Sequence, residues 1–279
     1  MASFGDRLGE AFSRYGQLCV GVDPHSWLLS EWGLPDSAVG ARELALRTVD
    51  AASGVAGIIK PQIAFFERFG AAGYTVLEEV IGTARAQGLV VIADVKRGDV
   101  GSTVEAYAHA WLASGAPLES DAMTVSAYQG FGSLASAAAL ARTQGKGLFV
   151  LAATSNPEAA ALQQARTARG EAVARTISRE VSEWNQTFSP GPLGAIGLVV
   201  GATISMADFG LDADAVGTSP LLAPGFGAQG AAIADLRELY GAASRQVLVA
   251  ASRSILSAGP GGIAEAVRDA QAEVLSCRA

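Results

Sequence analysis

Cysteine and histidine are scarce in this chain of 279 residues, with two of each. Cys19 and Cys277 lie far apart, and the sequence has no Cys-x-x-Cys pair or Cys/His cluster, so neither a disulfide framework nor a zinc site is expected. Such usage suits a reducing compartment. Basic residues are in deficit too: 20 Lys and Arg stand against 27 Asp and Glu, for a net charge of −7. That balance argues against a general binder of nucleic acid or of acidic membranes, since both functions present a basic face. Long apolar runs are also missing. The uncharged stretch 187–207 is broken by Pro190, Pro192 and four glycines, whereas a spanning helix needs about 20 predominantly apolar residues. The opening MASFGDRLGEAF carries Asp6 and Glu10 and has no signal-peptide core. Its Phe4, Leu8 and Phe12, spaced by four, read as one face of an amphipathic helix. The expected location is cytoplasmic.

What the chain does have is apolar residues, at 50% of the total, enough for a large core. They fall into short runs. Strands are expected at 19–23, 57–62, 90–96, 122–127, 147–154, 195–202, 220–224 and 247–252. Between them run Ala/Leu/Glu/Arg-rich stretches at 39–52, 67–87, 103–114, 133–142, 171–185, 231–240 and 262–275, expected as helices. Most of the strand runs are continuously apolar, as when a parallel sheet is buried on both faces. Eight such strands alternating with helices predict an α/β fold, a (β/α)8 TIM barrel, with a doubly wound open sheet as the alternative. No linker or charge block divides the chain, so a single domain spanning residues 1–279 is expected, with an Ala/Gln/Arg-rich insertion after strand five at about 156–170.

The strand ends are unusually polar for so apolar a chain. Strand one ends in Asp23, strand two in Lys60, strand three in Asp94 and Lys96, and strand four in Ser126. In barrels of this class the C-terminal strand ends build the active site, so these groups should converge on one mouth. Asp94 and Lys96 are two apart and leave the same face of the strand, while Val95 points toward the helices. Asp99 falls on the following turn, and Ser102-x-x-Glu105 reads as a capping box opening the next helix. An isolated Asp-x-Lys would be read as a structural salt bridge, but Lys60 and Asp23 on neighbouring strands favour a site. The loop PGFGAQG (224–230) after strand seven offers backbone N–H groups and the Gln229 amide, and Arg253 follows strand eight. An ordinary turn beside a surface arginine would look similar. Their joint position after strands seven and eight favours a phosphate grip. His25, His109 and the four tryptophans suggest no role in the chemistry. The acidic residues form no metal-ligand cluster, although Asp94 and Asp99 could in principle hold Mg2+.

Together these residues resemble the orotidine 5′-phosphate decarboxylase family, most closely its longer bacterial branch. The family hallmark, Asp-x-Lys-x-x-Asp followed by Val/Ile-Gly-x-Thr, is matched by Asp94, Lys96, Asp99, Val100, Gly101 and Thr103. GVDP, KPQ, SAY, TSNP and PGFGAQG follow the family order, so the likeness spans nearly the whole chain. It implies a homodimer with shared active sites, orotidine 5′-phosphate as substrate, UMP as product, and no cofactor or metal. It also implies that Lys60, Asp94 and Lys96 form a charge array completed by Asp99 from the partner chain. Asp23 and Lys60 would bind ribose hydroxyls, Asp99 and Thr103 would reach the ribose across the interface, Ser126 would read the pyrimidine, and Gln229 and Arg253 would hold phosphate. The chain departs from the pattern at Ser252, where the family usually has glycine before the arginine.

Two other readings are open. Related sugar-phosphate barrels, decarboxylating β-keto acids or performing aldol-type synthesis, share Asp-x-Lys-x-x-Asp but stabilise an enediolate with Mg2+. They resemble one another in an acidic residue near the end of strand two, where this chain has Lys60. The second is a silent barrel that binds a phosphorylated ligand; such a protein is expected to have lost a member of the array, and none is lost here.

Overall fold

The computed structural model describes residues 2–277. Eight parallel strands close into a barrel in chain order. They are β1 (Leu18–Val22), β2 (Ile58–Pro61), β3 (Val90–Arg97), β4 (Ala122–Val125), β5 (Gly147–Ala153), β6 (Ile196–Val200), β7 (Leu221–Pro224) and β8 (Val247–Ala251). Pairing of β1 with β8, in the register Leu18↔Val249 to Val20↔Ala251, closes the sheet and excludes the open alternative. A helix follows every strand. The longest are Ala38–Ala52, Gly70–Ala86, Val173–Phe188 and Gly259–Ser276.

Alternation along the strands divides the core in two. Cys19, Ile58, Ile92, Ala122, Phe149 and Leu248 point into the lumen. Val20, Ile59, Val91, Ala93 and Val95 point outward and pack beneath the helices. Burial in the lumen pushes the Cys19 thiol up to about 12, so it stays protonated and inert. The amphipathic opening forms α1 (Phe4–Tyr15), whose N-terminus is closed by a capping box between Ser3 and Asp6. This helix plugs the N-terminal mouth. Phe4 meets Phe149 edge-on at 6.0 Å between ring centroids. A Cβ at Gly147 would stand 2.4 Å from the Phe4 ring, so only glycine fits there. Deleting so buried a phenyl group costs about 3–5 kcal/mol. Arg7 fastens the plug by donating to Asp121 Oδ1 at 2.5 Å and to the Gly145 carbonyl at 2.8 Å.

The helix expected over 67–87 is two helices, Ala64–Glu67 and Gly70–Ala86, because Gly70 at φ +60° breaks the run. The capping box expected at Ser102 is not formed. The helix Gly101–Leu112 starts two residues earlier, with Val100 at the N-cap and no side-chain cap, so Ser102 lies inside the first turn. The segment after β5 carries a 3-10 turn (Pro157–Ala159), a short helix (Ala160–Gln163) and an Arg166–Ala172 bridge. Gln163 Oε1 ties it back by accepting the Thr154 N–H at 2.8 Å.

Candidate active site

With α1 in the N-terminal mouth, the polar strand ends gather at the other end of the barrel. Lys60 on β2 pairs in register with Gly21 on β1 and is buried at the end of its strand. Its Nζ donates to Asp94 Oδ2 on β3 at 2.9 Å, and both side chains are only 9% exposed. Lys96, two residues along, donates to the other oxygen, Oδ1, at 2.6 Å. One carboxylate therefore stands between two ammonium groups. Burial alone would raise the Asp94 carboxyl and depress the Lys60 ammonium. The opposite charges outweigh it, holding Asp94 well below the usual carboxylate range and Lys60 above the usual lysine range.

Lys96 differs from Lys60 in exposure and in backbone. Its side chain is 45% exposed, so the amine that neutralises Asp94 remains within reach of a ligand. Among the described residues it alone, apart from glycines, has a positive φ, at +49°. The β3–β4 register shifts between Ala93 and Arg97, so the strand bulges where the lysine sits. Such a conformation costs roughly 1–3 kcal/mol and persists where its surroundings enforce it, typically at functional sites. Thr124 on β4 enforces it here. Its hydroxyl donates to Asp94 Oδ1 at 2.8 Å and accepts the Lys96 backbone N–H at 2.9 Å.

Asp23 stands at the end of β1 with Oδ1 buried and unpartnered. With Gly21, Lys60, Gln229, Ser252 and Arg253 it lines a cavity of about 70 Å3. The structure thus brings Asp23, Lys60, Gln229 and Arg253 together as the sequence suggested. The loop after β7 turns through Gly227 at φ +70°, where a Cβ would also stand 2.7 Å from Ser254 Oγ. Ser126 follows β4, its backbone N–H donating to the Arg97 carbonyl at 2.8 Å. Asp99 does not join the array within one chain; its Oδ1 accepts the N–H of its neighbour Val100 at 2.8 Å. Thr103 is exposed on the helix that follows. A larger hollow, about 480 Å3, opens at the N-terminal face. Two of its three arginines, Arg7 and Arg85, are engaged by Asp121 and Glu119, and the third, Arg14, lies over the Tyr15 ring.

Against known proteins, the model of the orotidine 5′-phosphate decarboxylase / HUMPS family matches residues 16–269. The chain belongs to that family. An orotidine 5′-phosphate decarboxylase of Salinispora arenicola is 51% identical over 280 residues, covering 100% of this chain and 98% of the relative. A crystal structure assigned to the orotidine 5′-phosphate decarboxylase of Streptomyces avermitilis superposes with a TM-score of 0.93 at 45% identity, covering 99% of this chain and 96% of that one. The Leishmania donovani OMP decarboxylase superposes at 0.79 with 30% identity, covering 99% and 98% of the two chains.

Sequence reasoning missed two groups near the strand ends of this chain. Thr124 carries the signal of being the one polar residue in the run Ala122–Val125, at an inward position. Glu67, Tyr74 and Arg97 form a second network, with Glu67 Oε1 accepting from the Tyr74 hydroxyl at 2.6 Å and from Arg97. Nothing local in the sequence marks that trio.

Proposed function

We propose that this chain decarboxylates orotidine 5′-phosphate to UMP, the last step of pyrimidine nucleotide synthesis, as a cytoplasmic, metal-independent homodimer. The observation that carries the reading is Asp94 held between Lys60 and Lys96 at the strand ends, beside the cavity that Gln229 and Arg253 share. Breaking the bond from C6 to the carboxylate releases CO2 and leaves its electron pair in an sp2 orbital with no carbonyl placed to delocalise it. The site must stabilise that charge electrostatically. At about 4 Å and an effective dielectric near 20, a unit charge pair interacts by roughly 4 kcal/mol. The Lys96 ammonium supplies that attraction and then gives its proton to C6. Asp94 lies where the substrate carboxylate would be repelled, a strain relieved as CO2 leaves.

The remaining roles follow chemical type. Asp23 Oδ1, unpartnered, accepts from a ribose hydroxyl, and Lys60 donates to one. Gln229 and Arg253 hold the phosphate, and binding energy spent there supports closure over C6. Ser126 meets the pyrimidine edge. Asp99, unpaired with Lys96 in its own chain, completes the partner's array together with Thr103. Exposed apolar groups on this face, Val100 at 53% and Tyr128 at 77%, support a subunit contact here. Two free thiols, Cys19 and Cys277, suit a reducing cytoplasm.

Absorbance loss on mixing purified protein with orotidine 5′-phosphate in a chelator tests the reading. Turnover in the chelator is expected. Activity lost there and regained with Mg2+ would favour the enediolate-forming barrels. UMP binding without turnover would favour the silent one. The geometry argues against the first of these, since each oxygen of Asp94 already accepts from an ammonium group.

A further inference from the structure

We propose that the Ser252 hydroxyl is a binding group for the phosphate end of the nucleotide, a side-chain donor additional to Gln229 and Arg253. The inference rests on the functional reading above and concerns the residue at which this chain leaves the pattern of the family it resembles.

The fold aims the side chain at the ligand. Leu248 and Ala250 on β8 point into the barrel, and Ser252 continues that alternation at the rim. The register Val20↔Ala251 sets Ser252 beside Gly21, and Gly21 in turn lies beside Lys60. A Cβ at Gly21 would stand 2.6 Å from the Ser252 Cβ and 3.1 Å from its Oγ. Room for the serine therefore comes from the glycine on the neighbouring strand. Ser252 lines the cavity together with Asp23, Lys60, Gln229 and Arg253.

Its hydrogen-bonding capacity is unspent. Ser252 occupies the N-cap of the turn Arg253–Leu256, a position where serine usually caps, yet its side chain makes no cap bond. Its Oγ is buried and has no partner. Four buried side-chain polar atoms are unpartnered among the described residues, and two of them, Ser252 Oγ and Asp23 Oδ1, line this one cavity. An unsatisfied buried polar group is costly. Two in the same wall mark a place where a polar ligand completes the bonding. Their chemistry divides the ligand between them. A carboxylate only accepts and so takes a sugar hydroxyl, whereas a serine hydroxyl donates and, next to Arg253, meets the anionic oxygens.

Ser252→Ala and Ser252→Gly both remove the donor while keeping the backbone N–H. In each, the inhibition constant of UMP should rise about tenfold while that of uridine stays within twofold. The unliganded variants should unfold at the same temperature as the parent or higher, because an unsatisfied hydroxyl has been removed. An unchanged UMP constant in both variants overturns the proposal and leaves the functional reading standing. Equal weakening toward UMP and uridine, or a fall of several degrees in unfolding temperature, also overturns it by assigning the hydroxyl to ribose or to the fold. If the parent protein neither turns over orotidine 5′-phosphate nor responds to UMP, the functional reading fails and the role of Ser252 fails with it.

Discussion

Lys60 Nζ and Asp94 Oδ2 meet at 2.9 Å across two adjacent strands, each side chain only 9% exposed. A buried pair of this kind contributes little net stability when intact, but losing one partner leaves an uncompensated charge, which costs about 3–5 kcal/mol. Asp94→Asn would leave the Lys60 and Lys96 ammonium groups facing each other without their shared anion. Denaturant unfolding should register a loss of that size, and a loss below about 1 kcal/mol would mean the pair is solvated in a way this geometry does not allow.

Lys96 is the amine that remains in reach of a ligand. Lys96→Ala should abolish decarboxylation and leave the circular dichroism spectrum unchanged. Lys96→Gly should be equally inactive but more stable than the alanine variant by about 1 kcal/mol, because glycine accepts a positive φ without strain. Parent-level turnover in either variant would remove Lys96 from the chemistry.

Asp99 forms no ion pair with Lys96 within one chain; its Oδ1 accepts the N–H of Val100. Mixing an Asp99→Asn chain with a Lys60→Ala chain, each inactive alone, should regenerate one intact site per mixed dimer. Activity that stays absent once native mass spectrometry has shown subunit exchange would put Asp99 outside the partner's site.

Arg253 forms no ion pair among the described residues and stands in the cavity wall beside Gln229. Arg253→Ala should raise KM for orotidine 5′-phosphate by one to two orders of magnitude, in keeping with loss of a charge-assisted bidentate contact. An unchanged KM would detach the residue from the phosphate.

Glu119 supplies the pH dependence. Burial would raise its carboxyl, but hydrogen bonds from Lys146 and the Gly115 N–H, with the charges of Lys146 and Arg85, bring it down to about 2. The folded value lies below the unfolded one near 4.5, so its stabilising contribution is present above pH 4.5 and is lost as pH falls toward 2. Asp94 acts in the same direction, whereas Lys60, raised above its ordinary value, contributes until pH rises past about 10. Unfolding midpoints should therefore fall steeply from pH 4.5 downward. Glu119→Gln should flatten part of that slope, and an unaltered slope would count against it.

Much of the fold was legible because the information was local. Continuous apolar runs separated by helix-forming stretches define βα units, and eight of them fill a barrel. The spacing of Phe4, Leu8 and Phe12 foretold the helix that plugs it. Asp94 and Lys96 share a face by strand periodicity, and that was legible too. The sequence alone therefore determined which strand ends are charged and, through the alternation of each strand, which side of the sheet those charges occupy.

Only the tertiary structure decided what each charge touches. Thr124 lies 30 positions from Asp94 in the chain, yet its hydroxyl orients both that carboxylate and the Lys96 backbone. The positive φ of Lys96 comes from a bulge against β4, and the space for Ser252 comes from Gly21 on β1. Each of these depends on the register between strands, which closing the barrel sets all at once. Side-chain periodicity belongs to one segment; hydrogen-bond geometry at the rim belongs to the whole ring.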